Sequence, residues 1–226
     1  MKNLFYGCLL VMLMGSLNSC SKDYSKDDLV GTWEINATDA TYMIWESSGP
    51  INANGGSIPT TEVAEVTSQF ANIFLPEKLL ELEFTDDDKL AISYYDEDTR
   101  SRKREVYGTY RVVGRSKISF SPDVDKLLEG VDGIDNTTLA GVKVMAQAGL
   151  TIRYYFIGGS TNYVQFFLDT KTMKAMKYLF PMIGAAIAGD SADDTMIKSI
   201  LENLPAHMDK TGKIELGMNF NKKNNR

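Results

Sequence analysis

Histidine occurs once in the 226 residues and cysteine twice, and both scarcities narrow the chemistry. A nucleophile activated by a histidine base, or a zinc site built on histidines, needs more than the lone His207 beside Pro205. Cys8 and Cys20 both fall in the first 20 residues, so neither a disulfide scaffold nor a thiolate metal site is expected beyond them. Positive charge is short as well. The chain has 24 Lys+Arg against 30 Asp+Glu, a net charge of −6, which argues against nucleic acid or an anionic membrane surface as electrostatic partners. There is no Gly-x-Ser-x-Gly elbow, no phosphate loop and no dinucleotide fingerprint. Past the first 20 residues no apolar run is long enough to span a bilayer. The patch Ile183 to Ala188 is short and broken by Gly184.

What is present begins with a leader. Lys2 supplies a positive n-region, and Leu4 to Leu17 is apolar except for Tyr6, Gly7, Gly15 and Ser16, which reads as a secretory signal. Leu17-Asn18-Ser19-Cys20 then resembles the lipobox of bacterial lipoproteins. That resemblance implies cleavage after residue 19 and acylation of Cys20, with residues 20–28 as lipidated cysteine and charged tether. Each buried acyl methylene adds roughly 0.8 kcal/mol of membrane affinity. Ser21-Lys22-Asp23 and Ser25-Lys26-Asp27-Asp28 are similar to the tag that routes lipoproteins to the outer face in some anaerobic Gram-negative gut bacteria. The implied location is the outer membrane, facing the cell exterior. Ser21 to Asp28 would reach at most about 28 Å if fully extended, which brings the domain close to the lipid.

Residues 29–226 read as one domain dominated by period-two strands. Trp33 and Ile35 share a face of the first. Leu80, Leu82 and Phe84 alternate with acids, Asp86-Asp87-Asp88 turns the chain, and Leu90, Ile92 and Tyr94 return. Val106, Gly108, Tyr110 and Val112 precede a turn at Gly114, followed by Ile118 and Phe120. Leu150, Ile152, Tyr154 and Phe156 lead through Gly158-Gly159 to Tyr163–Leu168, and Ile214, Leu216, Met218 and Phe220 mark a last strand. A further strand fits around Tyr42–Trp45. Helical inserts are expected near 61–75, with Val63, Val66, Phe70 and Ile73 at helical spacing and Pro76 as terminator, and near 171–204, kinked at Pro181. The expected fold is mainly β: a closed antiparallel barrel of about eight strands with helical insertions, or alternatively a β-sandwich with helices.

Leu29-Val30-Gly31-Thr32-Trp33 resembles the Gly-x-Trp signature of lipocalins and other calycins. Tyr107-Gly108-Thr109-Tyr110-Arg111, a turn at Gly114 and Lys117-Ile118-Ser119-Phe120 are similar to the mid-barrel hairpin of lipocalin-like bacterial lipoproteins. The resemblance implies that Gly31 turns the chain into strand one and that Trp33 plugs the closed end of a barrel. It also implies an arginine from a late strand stacked on that ring. Arg153 and Arg111 are the arginines available, and the final strand is read as offering only Lys213.

Paired carboxylates are the catalytic arrangement to weigh, since a glycosidase needs only two. Asp86-Asp87-Asp88 and Asp96-Glu97-Asp98 lie at strand ends, where acids make turns, and the second run is balanced by Arg100, Arg102, Lys103 and Arg104. Asp123-Val124-Asp125 and Asp132 to Asn136 are oxygen-rich but lack the spacing of an EF-hand loop. No catalytic residue, cofactor or metal is assigned. Tyr94, Tyr110, Tyr154, Phe156, Tyr163 and Phe167 are the ligand-binding candidates: aromatic strand residues, four with hydroxyls that would orient an amphipathic molecule. Trp45 is placed near a mouth loop, and Met173, Met176 and Met182 are read either as an adaptable lid or as gap-filling core residues, the commoner use. The expected function is non-catalytic binding of a small apolar or amphipathic molecule in a lipid-anchored barrel. Its alternatives are a surface module that binds glycan or protein through exposed aromatics and loops, and a carboxylate-based hydrolase.

Overall fold

The alternating strands close into a barrel. The computed structural model describes residues 24–53, 56–96, 99–127, 140, 143–144, 146–147, 149–177, 181 and 192–223. Helix α1 (Lys26–Leu29) leads into β1 (Gly31–Ile35), β2 (Thr41–Ser47) and the short ribbon of β3 (Ile51–Ala53) and β4 (Gly56–Ile58). Helix α2 (Thr60–Lys78) then feeds a meander of β5 (Leu79–Phe84), β6 (Lys89–Asp96), β7 (Ser101–Val112) and β8 (Lys117–Pro122). After α3 (Val124–Leu127) come β9 (Leu150–Phe156), β10 (Tyr163–Leu168), α4 (Thr170–Ala175), α5 (Ala192–Met208) and β11 (Thr211–Lys222). Strands β1, β5, β6, β7, β8, β9, β10 and β11 are antiparallel neighbours in that order, and β1 pairs back onto β11. This is a closed eight-stranded barrel, and the sandwich alternative is set aside. Cys20, Met182 and Ile183 to Ala188 lie outside the described residues.

Strand β11 is long enough to hold two partners along the edge opposite β10. Its C-terminal end pairs with β1 (Trp33 opposite Lys222, Ile35 opposite Phe220), and the remainder pairs with β2 (Thr41 opposite Met218, Trp45 opposite Ile214). Residues 36–40 make the corner between them. Asn219 bridges it: its carbonyl accepts from Asn36 N and its own N–H donates to Ala40 O, both at 2.9 Å. Its side chain donates to Asp39 O at 2.9 Å.

Two irregularities change which residues face inward. Between Leu79 and Glu81 the register slips, so Leu79 rather than Leu80 joins Leu82 and Phe84 in the core. A second slip between Leu90 and Ala91 sets Gly108 opposite Leu90 but Val106 opposite Ala91. Tyr107 is the extra residue of this bulge, and parity reverses across it. Gly108, Tyr110 and Val112 share the face of Leu90 as expected, but Val106 does not. Glu105 instead lies opposite Ile92, and Lys103 opposite Tyr94. Gly108 has φ 154°, and a Cβ there would overlap the backbone oxygen of Ser121 and come within 2.9 Å of the Phe120 ring, so only glycine lets β7 and β8 approach.

Helix α2 also departs from the expectation. Pro76 sits inside its last turn, and the helix continues to Lys78. Its buried face carries Val63, Ala64, Ala71 and Leu75, whereas Val66 and Ile73 are exposed. The small residues allow close packing on β2, where Asn72 Oδ1 accepts from Thr41 N at 2.6 Å. Near the other helices, α4 ends at Ala175, and α5 runs through Pro205 to Met208.

Candidate functional site

The two ends of the barrel differ in construction. At one end three short connections, residues 85–88, 113–116 and 157–162, join β5 to β6, β7 to β8 and β9 to β10. At the other the helix-bearing connections enter and leave: α2 before β5, α3 after β8, and α4 with α5 between β10 and β11. We call these the base and the mouth.

The base is sealed. Trp33 is fully buried and its Nε1 donates to Leu29 O at 2.7 Å, tying the ring to α1. Gly31 enters β1 at φ 127°, a conformation that favours glycine. The cation over the Trp33 ring is Lys222, with Nζ 5.1 Å from the centroid, in place of either arginine. It comes from β11 two residues past Phe220, a part of the last strand that its apolar alternation leaves out. Arg153 instead lies 5.2 Å from the Phe167 centroid on the outer face. Tyr24 closes the base from outside the strands, edge-on to Phe156 at 4.5 Å and 6.5 Å from Tyr154.

The six aromatic candidates do not converge. Tyr110, Tyr154 and Phe156 fill the interior toward the base. Phe156 packs 5.8 Å from Trp33, Tyr154 lies 6.3 Å from Phe166, and Phe166 stacks on Phe84 at 5.2 Å. Tyr110 sets its edge against Phe84 at 4.9 Å and donates to Thr85 O at 2.9 Å. Tyr154 is the exception to good pairing: its hydroxyl is buried with no hydrogen-bond partner, and burial, then Asp28 and Tyr24, push its pKa up to about 12. Tyr163 and Phe167 alternate with inward Val164, Phe166 and Leu168 and so face outward. Tyr163 takes a hydrogen bond from Asn36 Nδ2, and Phe167 stands between Arg153 and Gly217 across the ladder. Tyr94 alone reaches the mouth.

Around Tyr94 the bulge assembles a polar group that alternation did not show. Tyr107 is buried, and its hydroxyl interacts with Tyr94 and Glu105. Burial first, then the Glu105 charge, raises its hydroxyl well above the usual tyrosine range. Lys126, on α3, pairs with Glu105 at 3.2 Å and lies 5.4 Å from the Tyr107 centroid. Asp96, expected in a solvated hairpin tip, is buried and ion-paired with Lys103. Glu97 and Asp98 lie outside the described residues. Both rim carboxylates are therefore held by lysines.

The rest of the mouth is apolar and soft. Met173, Met176 and Met208 are buried there with Leu204. Trp45 is buried on the inner face of β2, its Nε1 donating to Thr211 Oγ1 at 2.9 Å, and that hydroxyl donates to His207 O at 2.9 Å. His207 contacts Pro50 O through Nε2, and burial lowers its pKa. Among the described residues no three His, Cys, Asp or Glu side chains are grouped to hold a metal, and no helix is long and apolar enough to cross a membrane.

Fold and site together define a closed antiparallel barrel with a plugged base and a helix-covered, partly polar mouth. No protein-family model matches the chain, and no curated protein matches it.

Proposed function

We propose that this chain is a lipoprotein, acylated at Cys20, whose barrel binds a small apolar or amphipathic molecule at its mouth without catalysis. The observation that carries the reading is the Tyr94–Tyr107–Glu105–Lys126 group on the barrel rim, at the end that also holds the buried methionines of α4 and α5. Polar groups at the rim would orient a head, and thioethers, being flexible and polarisable, would accommodate a tail. Ring contacts occupy the base half, so the binding residues move from Tyr154 and Phe156 to the mouth. The leader and lipobox support export and anchoring, with the outer membrane as destination.

Residues 21–226 purified without detergent and examined by native mass spectrometry test this reading. A co-purified mass, or displacement of a fluorescent fatty-acid probe, is the expected result. An empty protein with no affinity for fatty acids or bile acids would refute it. A second reading, docking of a protein on the surface, rests on Val66 and Ile73, seven residues apart on α2 and 56% and 65% exposed.

A further inference from the structure

We infer that the base of the barrel lies directly against the lipid surface and the mouth faces away from it; this rests on the anchoring of Cys20 proposed above. The sequence suggests eight residues of free tether, but the structure leaves far fewer. Tyr24 is already docked on Phe156. Ser25 and Asp28 close a capping box, Lys26 Nζ reaches Asp86 O at 2.5 Å and Asp88 at 2.7 Å, and Lys222 Nζ donates to Asp28 O at 3.1 Å. Only Ser21, Lys22 and Asp23 separate Cys20 from Tyr24, the first docked residue among those described.

The lengths decide the orientation. Four residue steps reach at most about 14 Å, whereas a strand of β11's length runs about 40 Å. An acyl group on Cys20 therefore cannot extend to the mouth while Tyr24 stays docked. Charge does not oppose the arrangement. Of the acids in the 85–88 turn, Asp87 is held by Lys89, which lowers its carboxyl to about 2, and Asp88 by Lys26. Lys117 and Lys222 add positive charge at the same end, while Lys223 there is paired with Glu34 and Glu81. The mouth consequently exchanges its ligand with the aqueous side rather than with the bilayer.

Depth-dependent quenching tests this. The acylated full-length product carries a fluorophore on Ser160→Cys at the base or on Glu202→Cys on α5, and is reconstituted in phosphatidylcholine vesicles bearing a headgroup nitroxide. Severalfold stronger quenching at position 160 than at 202 is expected. Tyr24→Ala, checked for unchanged melting of the barrel, lengthens the free tether and should reduce quenching at 160. Equal quenching at both positions in an acylated chain overturns the orientation alone. Absence of acyl mass on the peptide containing Cys20 overturns the anchor and the orientation with it.

Discussion

Trp33 and Lys222 stand opposite each other where the first and last barrel strands meet, and the lysine lies over the indole while bonding the helix before it. Its Nζ lies 5.1 Å from the indole centroid and donates to Asp28 O at 3.1 Å, while the indole Nε1 is tied to Leu29 O. One side chain thus joins the final strand, the plug and the entry turn. Trp33→Ala is expected to cost about 3–5 kcal/mol, since a buried ring of that size leaves a cavity. Lys222→Met keeps the stem but removes the cation, at about 1–2 kcal/mol. Urea unfolding of both variants checks the ranking. A Lys222→Met loss equal to that of Trp33→Ala would contradict it.

Gly108 provides a sharper steric test. With the Ser121 carbonyl against the position of a missing Cβ, Gly108→Ala must separate β7 from β8. A cost of about 2–3 kcal/mol is expected, as for overpacking a core. Gly158→Ala is the control: its φ is 68°, but nothing lies within 4 Å of the added carbon, so only backbone strain of about 1 kcal/mol applies. Thermal melts should separate the pair clearly.

The contrast between Trp33 and Glu105 shows what was legible in the sequence. Strand existence, hairpin order and the glycine–tryptophan entry follow from period-two alternation and turn residues, which are local. Which side of a strand faces inward is local only until a bulge intervenes. Tyr107 adds one residue to β7, so Val106 leaves the inner face and Glu105 takes it. The glycine next to it was the available sign, because glycine inside a strand pattern often marks a bulge. Lys222 was missed because β11 continues past its apolar stretch, held by pairing with β1 rather than by burial. On α2, the choice between Val66 and Ala64 depended on how closely β2 approaches, which no single segment encodes.

Stability should fall in alkali. Burial raises the hydroxyls of Tyr107, Tyr110 and Tyr154 above the unfolded value, Tyr154 to about 12. Above pH 10 the unfolded chain loses phenolic protons that the folded chain keeps, so the unfolded state binds fewer protons and gains relative stability. Their contribution is fully present below pH 10 and is lost as pH rises from there through the folded values. Each such group steepens the decline by about 1.4 kcal/mol per pH unit. Urea midpoints measured across this range should drop, and Tyr154→Phe, which also removes an unpaired buried hydroxyl, should flatten the slope. A slope unchanged in that variant would count against burial of the hydroxyl.

Binding at the mouth makes a different demand on Tyr107. Its hydroxyl contacts Tyr94 and Glu105, and its ring lies under Lys126, so it positions the rim rather than filling the base. Tyr107→Phe keeps the ring and removes the hydroxyl that positions the rim, so affinity for an amphipathic probe should fall roughly fivefold, about 1 kcal/mol. Tyr110→Phe removes a hydroxyl whose bond is to Thr85 in the base turn, and it should leave probe affinity unchanged while lowering stability. Glu105→Gln releases Lys126 from its ion pair and should favour an anionic head over a neutral one. Fluorescence titration with a fatty acid and its methyl ester measures that preference. If Tyr110→Phe weakens binding as much as Tyr107→Phe does, the ligand lies deeper than the mouth and the aromatic packing of the base must open to admit it.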